Sequence, residues 1–278
     1  MGSGGSMPSM GTMMMLWPLL RPLLRTKFGW AIIGLGGFAY ISGYNPLSLL
    51  GMGGAKAQTT QVANSAQDNE RAAFMKTTLG YTESIWNKIL PQYGIRYKEP
   101  IMVLYRTGTK SGCGYASAQM GPFYCPADQK IYLDQSFFDT LAQEHSAPGD
   151  FAQAYVLAHE IGHHIQNLQG TLSQTHKAKQ RWGGSSAKSN ALQVKVELQA
   201  DCYAGVWAHH AHKQFGILET GDVEEALQAA SSIGDDTLQK QAGRRVNPDG
   251  FTHGSASQRM QWLRRGLKSG DLKMCHTF

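Results

Sequence analysis

Residues 155–165 read Tyr-Val-Leu-Ala-His-Glu-Ile-Gly-His-His-Ile, an apolar run interrupted by three histidines and one glutamate. A segment this apolar belongs inside a fold, and ionisable side chains carried there are costly unless something meets them. Their spacing suggests what does. His159 and His163 lie four residues apart, about one helical turn, so both imidazoles leave one helix face and can reach a single ion. Glu160 is rotated about 100° from His159, which places its carboxylate beside such an ion rather than on it. This is the H-E-x-x-H pattern, in which the histidines hold Zn²⁺ and the glutamate is the base acting on metal-bound water. The helix should run from Asp150, as N-cap, to Gln169, with Gly170 closing it. His164 faces elsewhere and reads as a surface or supporting residue. Tyr155, one turn before His159, reads as a core aromatic.

A catalytic zinc needs a third protein ligand and one open position. The extended pattern that supplies a third histidine is excluded, because the positions needing Gly and His hold Gln166 and Gln169. A second apolar stretch, Ala191 to His212, contains two acids, Glu197 and Asp201, among Val194, Val196, Leu198, Ala200, Tyr203 and Trp207. Like charges four apart on a helix repel, so such a helix keeps them only where cations or donors face them. Zinc meets Glu197, and the outward ring N–H of a ligand histidine meets Asp201. A solvated polar stripe shared with Lys195 is the plainer alternative. Thr252-His253-Gly254 precedes a helix carrying Arg259, where His253 could approach the metal and stabilise an oxyanion. His209, His210 and His212 are explained by the end of their helix or by solvent.

The remaining pattern is mostly helical. A helix is expected from Asn69 to Leu90, stopped by Pro91, with others from Ser189 to Gln214, closed by Gly216, and over 256–267 behind a Ser255/Gln258 capping box. Asp222 with Glu225 suggests another capping box. Ile101–Tyr105 and Lys130–Leu133 are short and β-prone, and read as two strands of a small sheet, the second a candidate edge for an extended peptide. Few strands and many helices indicate an α+β domain over 69–278.

Residues 1–56 carry Arg21, Arg25, Lys27 and Lys56 and no acid, which leaves 22 basic against 20 acidic residues for the rest of the chain, from totals of 26 and 20. A nearly neutral body gives no support to nucleic-acid binding, which needs clustered basic residues. Phe28 to Ala55 holds no charged residue, enough to span a bilayer at about 20 residues. The positives precede it, so the expected topology is a cytoplasmic tail 1–27, a membrane anchor 28–52, a linker 53–68 and an exported domain. A cleaved signal ending at Ala55-Lys56-Ala57 competes with the anchor. Four cysteines, Cys113, Cys125, Cys202 and Cys275, suit an oxidising compartment and allow three pairings. Local closure of Cys113 with Cys125 is the easiest, contributing about 3 kcal/mol in the chain-entropy model, and would leave Cys202 with Cys275.

The H-E-I-G-H and E-L-Q-A-D segments resemble the gluzincin arrangement, and G-P-F-Y-C-P-A-D at 121–128, Y-V-L-A-H-E-I-G-H-H at 155–164 and F-T-H-G at 251–254 resemble the neutral zinc metallopeptidase family of bacterial envelope proteins. The resemblance covers residues 67–278. It implies a zincin-like domain behind an inner-membrane segment on the periplasmic side, one Zn²⁺ on His159, His163 and Glu197, Glu160 as base, and a peptide or protein substrate. A metal-bound but inactive envelope scaffold, and a disulfide-stabilised structural module with an incidental motif, are the competing readings.

Overall fold

The computed structural model describes residues 66–117, 120–144, 147 and 149–278. The expected anchor at 28–52 lies outside the described residues, and among those described no helix is long and apolar enough to cross a membrane. The architecture is mostly helical with small sheets, an α+β arrangement.

Helix α1 (Ala66–Ile89) buries Met75, Thr78, Thr82, Ile85, Trp86 and Ile89, and passes into a 3₁₀ turn at Leu90–Tyr93, where Pro91 can open a new turn but not continue the old one. Near its start, Arg71 reaches Asp139 at 2.8 Å, and Arg106 joins Asp68 and, at 2.9 Å, Asp139. Five strands follow: β1 (Ile101–Tyr105), β2 (Gly108–Ser111), β3 (Gly114–Ser117), β4 (Phe123–Cys125) and β5 (Lys130–Asp134). β2 and β3 form a hairpin, while β1, β5 and β4 form a sheet in that order. β5 pairs parallel with β1 (Ile101 opposite Lys130) and antiparallel with β4 (Tyr124 opposite Ile131). β5 is therefore the central strand and offers no edge, contrary to expectation. β4 is an edge.

Seven further α-helices, a 3₁₀ turn at Pro248–Gly250 and a closing 3₁₀ turn complete the described chain. α2 (Gln135–Gln143) starts at Asp134, whose side chain accepts from Ser136 N–H. α3 (Asp150–Leu168) carries the H-E-x-x-H segment; its N-cap is Gly149, and Asp150 is the first helical residue, where an acid suits the helix dipole. Gly170 takes φ 79° directly into α4 (Thr171–Arg181). α5 (Ala187–Phe215) starts at Ser186 rather than Ser189, because the Ser186 hydroxyl accepts from Ser189 N–H, and ends at Gly216 as expected. α6 (Asp222–Ser232) lacks its expected capping box: the chain enters through Gly221 at φ 106°, and Asp222 turns back to accept from Glu219 N–H. α7 (Asp235–Gln241) is followed by α8 (Ala256–Ser269), whose Ser255/Gln258 capping box forms as expected, and the chain closes in a turn at Leu272–Cys275.

α5 is the axis of this domain. Against it α8 lies backbone to backbone, because a Cβ on Gly205 would sit 2.2 Å from Leu263 O and one on Gly266 1.9 Å from Cys202 O. Only glycine allows that approach, and it brings Arg259 on α8 against Asp201 on α5. His209 and His210 sit half-buried on the same seam, bonding the backbone oxygens of Leu267 and Gly270 at 2.9 and 2.7 Å. Disulfides join Cys113 to Cys125 and Cys202 to Cys275, so the first staples the β2–β3 hairpin to β4 and the second ties the C-terminal turn to α5.

Candidate metal centre

α3 and α5 cross where α3 has no room for a side chain. A Cβ on Gly162 would lie 2.9 Å from Ala200 Cα and 3.0 Å from Ala200 O. The glycine within H-E-I-G-H thus sets the separation of the two helices that carry the candidate ligands. At this separation His159 Nε2 and His163 Nε2 each lie 3.2 Å from Glu197 Oε2. Ligands held about 2.0–2.1 Å from one tetrahedral zinc lie about 3.3 Å apart, so the three atoms have the spacing that ion needs. His159, His163 and Glu197 form a group whose ligand atoms all fall within 4.8 Å of one another.

Each candidate ligand is held from behind. His159 Nδ1 faces Asp201 Oδ1 at 2.7 Å, the contact expected from the sequence. Asp201 is fully buried and also receives the Tyr155 hydroxyl at 2.6 Å and Arg259 through Nε at 2.9 Å and Nη2 at 3.0 Å. Burial opposes its ionisation, but the Arg259 guanidinium and the His159 ring outweigh it and hold Asp201 ionised well below the usual carboxylate range. His163 Nδ1 faces Gln166 Oε1 at 2.8 Å. Gln193 Nε2 donates to Glu197 Oε1 at 2.7 Å, and Lys179 Nζ donates to Gln193 Oε1 at 2.7 Å. With both Nδ1 positions facing these acceptors, both Nε2 lone pairs are directed at Glu197 and the space beside it.

The charges favour a cation. Burial opposes charging His159, yet Asp201 and Glu197 override it and raise its pKa to about 10. Burial likewise opposes ionising Glu197, but His163 and His159 keep it an anion well below its usual value. A proton on an imidazole and a divalent ion between the ligands are alternative answers to the same negative field. Glu160 differs. Burial pushes its carboxyl up, with only partial relief from His163 and His159, and its Oε2 is buried without a hydrogen-bond partner. An unpartnered carboxylate oxygen beside three convergent ligand atoms is what a base acting on bound water requires.

A cleft of about 1110 Å³ opens over this centre, lined among others by His159, Glu160, His163, Glu197 and residues 120–124 leading into and along β4. His253 also lines it, with its side chain half exposed and Nδ1 3.3 Å from Asp235 Oδ1. Asp235 fixes that loop by accepting from the backbone N–H groups of Thr252, His253 and Gly254. His164, expected at the surface or in support of the site, does neither. It is completely buried, bonds Tyr124 Oη at 3.0 Å and the Lys98 carbonyl, and fastens α3 to β4.

The family described as "Putative neutral zinc metallopeptidase" matches residues 10–278. This chain belongs to that family. The chain is similar to the Escherichia coli strain K12 protein YpfJ, 46% identical over 241 residues that span 86% of this chain and 83% of YpfJ. Mycobacterium tuberculosis Rv2575 is 42% identical over 206 residues, 70% of this chain and 67% of its own. Both relatives carry the description uncharacterized. No solved structure matches. Membership implies zinc, and the residues brought together at the α3–α5 crossing fit it.

Four residues of the centre escape a reading by motif. Tyr155 resembles any core aromatic until its hydroxyl is seen on Asp201. Gln166 stands where one zincin class has a glycine, and Gln193 sits a turn before Glu197; an amide about one turn from a candidate ligand on the same helix is the signal that could have found both. Arg259 has no local signal at all.

Proposed function

We propose that this protein is a membrane-tethered, zincin-like endopeptidase that hydrolyses peptide bonds with a zinc-activated water. His159 and His163, through Nε2, and Glu197, through Oε2, would hold the ion. When bound, zinc would supply Lewis-acid chemistry, polarising a carbonyl and lowering the pKa of water toward about 7. Glu160 takes the proton of the attacking water on its unpartnered Oε2 and passes it to the departing amine. Burial helps the first leg, since a carboxylate whose pKa is raised takes up the proton more readily. His253, on the cleft wall, offers a hydrogen bond to the carbonyl oxygen as charge develops there. An extended peptide can lie along β4, an edge strand whose residues line the cleft.

The observation that carries this reading is the pair of 3.2 Å His–Glu197 spacings next to the orphaned Glu160 oxygen. An inactive scaffold with the same ion is disfavoured by the size and opening of the cleft, which leaves the centre within reach of a peptide. The two disulfides support an exported domain, since they persist in oxidising compartments. Purified full-length protein, its Glu160→Gln variant and a library of quenched peptides test the proposal. Both proteins should carry about one zinc per chain, and only the wild type should cut, because the substitution removes the base and keeps the ligands. Equal cleavage by both would refute the role of Glu160.

A further inference from the structure

Resting on the metal site proposed above, we infer that Gln166 is a positioning residue for His163, and that through Gln199 it couples the metal centre to the C-terminal segment held by the Cys202–Cys275 disulfide.

The argument runs inward from two backbone carbonyls, which can only accept hydrogen bonds. The Cys275 carbonyl receives Gln199 Nε2 at 3.1 Å. This fixes the orientation of the Gln199 amide, so its Oε1 faces Gln166. The Val196 carbonyl receives Gln166 Nε2 at 2.7 Å, and the same nitrogen donates to Gln199 Oε1 at 3.0 Å. Gln166 therefore cannot be flipped without placing its oxygen against two acceptors. Its Oε1 must face His163 Nδ1, 2.8 Å away. An amide oxygen has no proton to give, so His163 carries hydrogen on Nδ1 and keeps its Nε2 lone pair for the ion.

The chain of bonds is buried from Gln166 to Cys275. Gln166 and Cys275 are completely inaccessible and Gln199 nearly so. Burying two primary amides in a helix crossing is costly unless every group is satisfied, and here each amide oxygen and nitrogen finds a partner. The two histidines are thus held by different chemistry. His159 leans on a carboxylate that also answers a guanidinium, whereas His163 leans on a neutral amide. That choice orients the second ring without adding another buried anion beside Glu160 and Glu197.

The test uses the full chain, zinc alone as ligand, and competition with a chromophoric chelator to obtain the zinc dissociation constant, together with thermal unfolding of the metal-stripped protein. Gln166→Met keeps the side-chain volume and removes all three bonds; zinc binding should weaken about 10- to 100-fold, the usual effect of losing a partner behind a ligand. Gln199→Met should weaken it less, because Gln166 still has Val196. Since Gln199 acts through Gln166, the double variant should bind no more weakly than Gln166→Met alone. A purely structural role would lower the unfolding temperature and leave the zinc affinity of the folded protein unchanged. Gln166→Met within about twofold of wild type, or a double variant that adds the two losses, overturns the inference. If Gln166→Met does not fold, Gln199→Met decides alone, and unchanged zinc affinity in it overturns the inference. Wild-type protein that takes up no zinc overturns the metal site itself, a result distinct from wild type and variants binding equally.

Discussion

Adding one methyl group at Gly162 should disturb the metal site more than the fold. The new Cβ would lie 2.9 Å from Ala200 Cα and 3.1 Å from Ala200 Cβ. Carbon atoms prefer about 3.5–4.0 Å, so α3 and α5 must part locally by about half an ångström or more. Overpacking of this kind costs about 1–3 kcal/mol, while replacing a mid-helix glycine by alanine returns about 1 kcal/mol of helix propensity. The net loss is about 0–2 kcal/mol, or up to roughly 8 °C in Tm for a domain of this size. His159 and His163 sit on one helix and Glu197 on the other, so the same displacement opens both 3.2 Å spacings. Zinc affinity should fall about tenfold or more, by analogy with other losses of ligand geometry. Gly80, in the middle of α1, supplies the control, because a Cβ there meets nothing within 4 Å. Gly80→Ala should stabilise by up to about 1 kcal/mol and leave zinc binding alone. The assay is thermal unfolding of the metal-stripped protein with chelator competition for zinc. A Gly162→Ala protein as stable as Gly80→Ala and binding zinc like wild type would show that the crossing does not set the site.

Glu197→Ala should remove most of the zinc, whereas Asp201→Asn, which keeps an acceptor for His159, should lose only about 10- to 100-fold in affinity; the reverse order in equilibrium titration would exchange their roles. Thiol labelling of denatured, unreduced protein should find no free cysteine, and mild reduction of the native protein should expose Cys113 and Cys125 first, because Cys113 is exposed while Cys202 and Cys275 are buried. Mass spectrometry of the labelled peptides reads the order, and early labelling of Cys275 would contradict it. Burial pushes the Asp139 carboxyl up, but its bonds to Arg106 and Arg71 outweigh this and hold it below its ordinary 3.8. Its contribution to stability is therefore complete above that ordinary value and is lost as the pH falls through the lower folded one. Asp139→Asn should flatten the acid limb of the urea midpoint against pH, and an unchanged limb would remove Asp139 from the account.

What the sequence disclosed was local in the chain. His159, Glu160 and His163 share one helical turn, and Glu197 with Asp201 stand out as acids in an apolar helix, so periodicity alone places each pair on a face. The docking of those two helices was not legible, because Gly162 and Ala200 signify a close crossing only once they face each other. Arg259 reaches Asp201 across 58 residues, through a seam that depends on Gly205 and Gly266. The hairpin β2–β3 is short and glycine-bearing, with too little alternation to register as strands. Asp222 fitted a capping pattern, but the positive φ of Gly221 gives the chain another way into α6. Local chemistry picks out the candidate ligands, while contacts distant in the chain supply what orients them.

X-ray absorption at the zinc edge of the purified protein addresses the central claim most directly. The account predicts one zinc per chain in a shell of two imidazole nitrogens at about 2.0–2.1 Å with oxygen completing it, and the loss of imidazole scattering in His163→Ala. A shell containing sulfur at about 2.3 Å, or zinc whose imidazole signal is unchanged in His163→Ala, would contradict it.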